Sequence, residues 1–116
     1  MAGATGYHAG LAAEDCVARV YEASGHRVRA RRWRGQGGEI DLILEGADGL
    51  VFVEVKKSRS FDRAVARFSG RQMRRICEAA AEFVAGEPLQ MDTPMRFDLA
   101  LVDQHGQTRV VENILH

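Results

Sequence analysis

Asp41, Glu54 and Lys56 are the residues whose types and spacing could do chemistry. They sit in two apolar runs, one from Gly38 to Glu45 and one from Leu50 to Lys57, joined by a short turn over 46–49. Side chains alternate along a strand, so Glu39, Asp41 and Ile43 are expected on one face of the first run. Phe52, Glu54 and Lys56 are expected on one face of the second. A four-residue loop over 46–49 sets Glu45 against Leu50, and hence Asp41 against Glu54 and Glu39 against Lys56. Their Cβ atoms would then lie ~4.5–5.5 Å apart on a shared face.

Such an arrangement works against folding, because like charges directly opposed destabilise a sheet. Glu54 also lies inside Val51-Phe52-Val53-Glu54-Val55, which reads as a buried strand. A buried carboxylate pair must share a proton, meet a positive partner or bind a cation. Hard oxygen ligands favour Mg²⁺ or Mn²⁺ over zinc. Lys56 would stand beside that cation, where it could hold or help deprotonate an attacking water, or stabilise phosphate charge. A plain structural account of the same residues stands next to this one. Glu39 with Lys56 would be a cross-strand ion pair, and Asp41 would meet an arginine.

The elements that must position these residues follow from the pattern. A helix is expected over 5–24, with Leu11, Val17, Val20 and Tyr21 on its apolar stripe and Gly25 as its stop. Strands are expected over 28–34, 40–45 and 50–57, the first with one wet, basic face. The stretch 60–66 is ambiguous. A helix follows over 70–85, then a loop marked by Gly86, Pro88 and Pro94, and strands over 97–102 and 109–114. The order α-β-β-β-α-β-β describes an α/β domain with a mixed central sheet flanked by helices.

A chain of 116 residues, 46% of them apolar, supports one domain with one core, spanning 1–116. No apolar run reaches the ~20 residues of a membrane span. The first sixteen residues lack the basic start and apolar stretch of a signal peptide. Cys16 and Cys77 are too few for a disulfide framework, are expected as buried thiols on helix faces, and point to a reducing cytosol. The four histidines show no metal-ligand spacing.

Zero net charge argues against nucleic acid until its distribution is read. Residues 1–75 hold 14 Lys/Arg against 9 Asp/Glu, whereas 76–116 hold 2 against 7. Arg27, Arg29, Arg31, Arg32 and Arg34 crowd one expected strand, more than solubility needs, and suit phosphate contact. Arg63, Arg67, Arg71 and Arg74 or Arg75 fall on one helical face if the helix begins early, either as a phosphate-tracking ridge or as a solvated face. Trp33 is expected in the core or under the Gly35–Gly38 turn rather than stacked on a base. Arg96 and Asp98 alternate onto one strand face as a structural ion pair.

Asp41, Glu54-Val55-Lys56 and the element order resemble the PD-(D/E)xK nuclease core, a restriction-endonuclease-like α/β fold. Within it, Gly38-Glu39-Ile40-Asp41-Leu42-Ile43 and Phe52-Val53-Glu54-Val55-Lys56 closely resemble the YraN-like family of predicted endonucleases, whose fold is Holliday-junction-resolvase-like. Glu14, Gly25, Trp33-Arg34 and Arg96-Phe97-Asp98 occupy further positions of that family's pattern, over roughly 10–102. The resemblance implies that Asp41 and Glu54 are metal ligands, with the Val55 carbonyl as a third. It implies that Glu14 reaches the metal from the first helix, directly or through water. Lys56 would serve the water and the phosphate, and Gln72 stands where related nucleases often place a Gln or Lys. In this chain Gln72 replaces a Lys frequent near that position, Arg32 stands where an Asn often precedes the aromatic-Arg pair, and Ala13 replaces a Gly.

The expectation is therefore a Mg²⁺- or Mn²⁺-dependent endonuclease acting on DNA, branched or otherwise structured, with Arg27, Arg29, Arg31, Arg32, Arg34, Arg67, Arg71 and Arg74 on the nucleic acid. RNA satisfies the same phosphate chemistry. A junction resolvase needs two active sites, so a homodimer is expected of one. The alternative is a non-catalytic module on a nuclease fold that binds nucleic acid or a partner protein.

Overall fold

The computed structural model describes residues 2–87 and 93–114, with side chains described from position 12 onward apart from Ala64 and Arg67. Pro88, expected to mark a loop, lies outside the described residues. The elements are α1 (Ala2–Ala23), β1 (Arg27–Arg34), β2 (Glu39–Gly46), β3 (Gly49–Lys57), α2 (Phe61–Arg67), α3 (Gly70–Ala85), β4 (Met95–Val102) and β5 (Thr108–Val111). They form one five-stranded mixed sheet in the order β1-β2-β3-β4-β5. Among the described strands only β3 and β4 run parallel, and α2 and α3 supply the crossover that a parallel pair requires. No described helix is long and apolar enough to cross a membrane.

Two helices sandwich the sheet. Val17, Ala18 and Tyr21 of α1 bury against Leu42, Leu44, Val51, Val53, Ala100 and Val102. Ala79, Ala80 and Phe83 of α3 bury against Ile40, Ile43, Leu50 and Phe52 on the opposite face. Trp33 joins that second layer, edge-on to Phe83 at 5.5 Å, as the sequence suggests. A third cluster packs Phe61 and Phe68 on Leu99 and Leu101.

Gly25 ends α1 at φ +91, the left-handed conformation that glycine adopts without a side-chain clash. The His26 N–H reaches back to the Tyr21 carbonyl at 3.1 Å, satisfying an otherwise orphaned helix end. Turn chemistry also fixes the hairpin. Gly46 and Gly49 pair across it, so the turn is two residues, Ala47 and Asp48, rather than the expected four-residue loop. The register is unchanged, with Glu45 on Leu50 and Leu42 on Val53.

Other expectations need correction. The ambiguous stretch after β3 is helical: the Ser60 hydroxyl accepts the Arg63 N–H and starts α2. The order is accordingly α-β-β-β-α-α-β-β. The chain is extended at Phe68, whose side chain packs in the third cluster, and α3 restarts on Ser69. This break prevents Arg63, Arg71 and Arg74 from lining one continuous helix. The last strand is shorter than expected, ending at Val111, because Asn113 turns the chain at φ +56. Both cysteines are half-buried rather than buried, and burial still pushes the Cys77 thiol up from its ordinary value.

Candidate functional site

The site forms where β2 and β3 part. Their paired register runs from the hairpin as far as Leu42 on Val53. Beyond it β3 continues only beside β4, with Glu54 on Leu99 and Lys56 on Leu101. The Asp41 carboxylate fills the gap, its Oδ2 accepting the Val55 N–H at 2.8 Å. Asp41 thus takes a backbone amide, not an arginine, as its hydrogen-bond donor.

The local backbone explains how Asp41 gets there. Leu42 and Leu44 face α1, whereas Ile43 faces α3, as alternation demands. Ile40 also faces α3, although it is three residues from Ile43. The alternation is therefore broken at Asp41. Across the ladder β1 breaks at the matching point: Arg31 pairs with Leu42 and Trp33 with Ile40, and Arg32 between them has φ +49. The expected shared face of Glu39, Asp41 and Ile43 does not survive this roll of the two strands.

The roll leaves Asp41 between two shallow clefts. One, of about 220 Å³, is lined by Gly38, Glu39, Glu54, Gln72, Arg75 and Ile76. The other, of about 180 Å³, is lined by Ala13, Glu14, Arg32, Asp41, Val55 and Lys57. Gly38 belongs here because α3 crosses close by: a Cβ on it would lie 3.3 Å from the Arg75 carbonyl oxygen.

Burial pushes the Glu54 carboxyl up to about 7, and the negative charge and hydrogen bond of Asp41 act in the same direction. Lys56, with Nζ at 3.3 Å from Glu54 Oε1, offsets only part of that rise. Burial also raises Asp41, against the stabilising N–H of Val55. The pair titrates as a unit, as coupled carboxylates must. The alternative pairing of Glu39 with Lys56 is not made, since Glu39 holds Arg34 at 2.9 Å.

An unfolded glutamate titrates near 4.5, and the folded Glu54 near 7. The folded state binds the proton more tightly, so stability is greatest below the unfolded value and falls as pH rises through that window. Glu54→Gln is expected to flatten the fall and to exceed the parent's stability above the window by roughly 1–3 kcal/mol. Urea unfolding on either side of the window, without added metal, checks this. A parent equally stable at both pH values would show that Glu54 carries no such strain.

Gln72 reaches the Glu54 cleft but also has a structural task. Its Oε1 accepts the Ser69 N–H at 3.0 Å while the Ser69 hydroxyl accepts the Gln72 N–H, a reciprocal cap on α3. Glu14 lies on α1, 4% exposed. Its Oε2 and Oε1 both accept from Arg32 Nε, at 3.0 and 3.2 Å. Glu14 is therefore turned to Arg32, and among the described residues no group of three His, Cys, Asp or Glu side chains is arranged to hold a metal.

The β1 arginines do not form the single wet face that alternation suggests. A bulge between Val28 and Ala30 and the turn at Arg32 divide them between the two layers. Arg27 and Arg29 pair with Glu45, and Arg29 also with Glu87. Arg31 pairs with Asp15, Arg32 with Glu14 and Arg34 with Glu39. Arg27 and Arg34 remain about three-quarters exposed, and such pairs hold weakly enough to exchange for phosphate. Arg71, Arg74 and Arg75 are exposed on α3; the side chain of Arg67 lies outside the described residues. Arg75, which the sequence offers as an alternative to Arg74 on the arginine face, lines the Glu54 cleft, and Lys57, which does not stand out in the sequence, lines the other.

Comparison with known proteins places the chain among close relatives. A family model described as "Uncharacterised protein family UPF0102" matches residues 13–102, which include Glu14, Asp41, Glu54, Lys56 and Gln72. The chain is similar to a UPF0102 protein of Cereibacter sphaeroides, 55% identical over 113 residues and 97% of each chain. A UPF0102 protein of Roseobacter denitrificans is 55% identical over 114 residues, covering 98% of this chain and 88% of that one. One from Ruegeria pomeroyi is 54% identical over 111 residues, 96% of this chain and 90% of that one.

Proposed function

For a chain that belongs to the uncharacterised protein family UPF0102, the YraN-like family its motifs resemble, we propose the function of a metal-dependent endonuclease with a PD-(D/E)xK core that hydrolyses DNA phosphodiester bonds. One observation carries this reading. Two half-buried carboxylates, Asp41 and Glu54, and an ammonium, Lys56, converge where the sheet opens, although the pair costs the fold stability. Stability spent on a cluster in a cleft is the usual mark of a working site.

The donor set fits Mg²⁺ or Mn²⁺. The carboxylates and the neighbouring Val55 carbonyl are hard oxygens, and burial, with the charge of Asp41 added to it, raises the Glu54 carboxyl where a bound cation would offset the strain. Asp41 and Glu54 would hold the ion, which supplies charge neutralisation and a water of lowered pKa. The Val55 N–H fixes the Asp41 carboxylate in place. Lys56 is tethered by Glu54 beside the pair, where its ammonium orients a water and neutralises phosphate charge as the transition state forms. In the reaction a water oxygen bonds to phosphorus and the bond to the leaving sugar oxygen breaks. The proton lost by the water balances the one gained by the leaving oxygen. Arg71, Arg74 and Arg75 on α3, with the exchangeable Arg27 and Arg34, supply cationic groups for the backbone. Branched or otherwise structured DNA is the proposed substrate, and two copies would be needed to resolve a four-way junction.

The test is a cleavage panel of single-stranded, duplex, flap, fork and four-way-junction DNA, with an RNA arm, each with Mg²⁺, Mn²⁺ or EDTA. Cutting that requires metal and disappears in Asp41→Asn is the expected result. Salt-sensitive binding to the same substrates with no cutting under any metal would replace the nuclease by a binding module on this fold.

A further inference from the structure

We propose that Arg32 is a resident counter-ion of Glu14 that a divalent cation displaces, so that Glu14 exchanges a guanidinium for the metal and the released Arg32 contacts phosphate. The inference rests on the reading of Asp41 and Glu54 as a cation site. It concerns residues outside that pair.

Glu14 and Asp98 are the buried charged residues among those described, and each has an arginine. Asp98 is held from four sides, by Tyr21, by two nitrogens of Arg96 and by the Asn113 N–H. For Glu14 the described hydrogen bonds come from a single nitrogen, Arg32 Nε, shared between its two oxygens. A buried carboxylate held through one shared donor exchanges partners more readily than one held by four. Arg32 is also the more solvated member, 45% exposed against 5% for the Glu14 side chain. It can leave for solvent or phosphate at little desolvation cost, whereas Glu14 stays buried and must find another cation.

That other cation would be close at hand. Glu14, Arg32 and Asp41 line one cleft. The negative charge of Glu14 helps to raise the Asp41 carboxyl, so the two carboxylates interact across it. Arg32 in turn feels Glu39 and Asp41 beyond Glu14. A divalent ion held by Asp41 and Glu54 would draw Glu14 more strongly than a single positive charge does. The left-handed Arg32 backbone, opposite Asp41, keeps the guanidinium at the cleft when it lets go.

The experiment is calorimetric titration of Mn²⁺ alone into the wild type, Arg32→Asn, Arg31→Asn, Glu14→Gln and the Arg32→Asn/Glu14→Gln double variant. Asparagine suits the left-handed backbone, and thermal melts confirm that each variant folds. Arg31→Asn removes an equal charge from the neighbouring Asp15 pair. Arg32→Asn is expected to bind Mn²⁺ about tenfold more tightly than the wild type. Arg31→Asn should change affinity less than about twofold, and the gain from Arg32→Asn should vanish in the Glu14→Gln background. With Mn²⁺ present, Arg32→Asn should also lose DNA affinity that it keeps in EDTA. Wild-type Mn²⁺ binding that Arg32→Asn leaves unchanged, or that Arg31→Asn tightens equally, overturns the exchange and spares the cation site. No Mn²⁺ binding by any form overturns both.

Discussion

Lys56→Met is expected to lower metal-dependent cleavage by a factor of about 10² to 10³ while leaving Mn²⁺ affinity within a few-fold of wild type. The separation follows from where Lys56 sits. Its Nζ is 3.3 Å from Glu54 and its side chain is partly exposed, so it can serve a water or phosphate without being a ligand. Removing a positive charge beside the pair makes the carboxylates more attractive to a cation, so binding should hold or tighten. The fold should also tolerate the change, because methionine keeps the aliphatic stem and the Glu54 pair it removes is partly exposed. Asp41→Asn should behave differently, losing metal binding and cleavage together. Single-turnover cleavage and Mn²⁺ titration on both variants separate the two roles. Cleavage by Lys56→Met at the wild-type rate would remove Lys56 from the chemistry and leave it as a plain partner of Glu54.

The two halves of this site differ in how far the sequence reveals them. Glu54 and Lys56 obey strict alternation on β3, and Glu45 does pair with Leu50. Pattern and turn chemistry therefore suffice to bring Glu54 near Asp41. The geometry at Asp41 itself is different. It depends on one left-handed residue, Arg32, on a neighbouring strand. Hydrophobic period carries no such information, because Ile40 and Ile43 look like opposite faces until the roll puts them on one. A clue existed in the resemblance: asparagine, which tolerates that backbone region, often stands at the position of Arg32. The arginine strand illustrates another limit. Charge counting sees five bases in eight residues but not Asp15, Glu14 and Glu87 folding back onto them. Likewise the resemblance assigns Gln72 to the chemistry, whereas Ser69 three residues earlier signals its capping task.

Asp98→Ala is expected to cost about 3–5 kcal/mol of stability, the largest loss from any single substitution considered. Asp98 is 1% exposed on β4, between the central strand β3 and the edge strand β5. Its carboxylate accepts the Tyr21 hydroxyl at 2.6 Å, Arg96 Nε at 3.0 Å, and the Asn113 N–H at 3.0 Å. One side chain thereby ties α1, β4 and the turn after β5. Alanine would take the shared acceptor from a half-buried guanidinium, a buried phenol and a backbone amide at once, leaving the Arg96 guanidinium the exposed Glu112 at 3.9 Å. The Tyr21 hydroxyl is pushed above its ordinary pKa by burial first and by Asp98 second, so it stays a neutral donor with no other acceptor described. Tyr21→Phe, which removes one of these donors together with its share of the carboxylate's demand, should cost only about 1 kcal/mol. Urea unfolding of the two variants gives both numbers. Because Asp98 pairs with Val53 and its neighbour Leu99 with Glu54, the loss falls on the strand that carries the site. Metal-dependent cleavage by Asp98→Ala should therefore fall with the unfolded fraction on warming and recover on cooling. A loss that persists at temperatures where the variant is fully folded would show that Asp98 acts on the chemistry itself and not only through the fold.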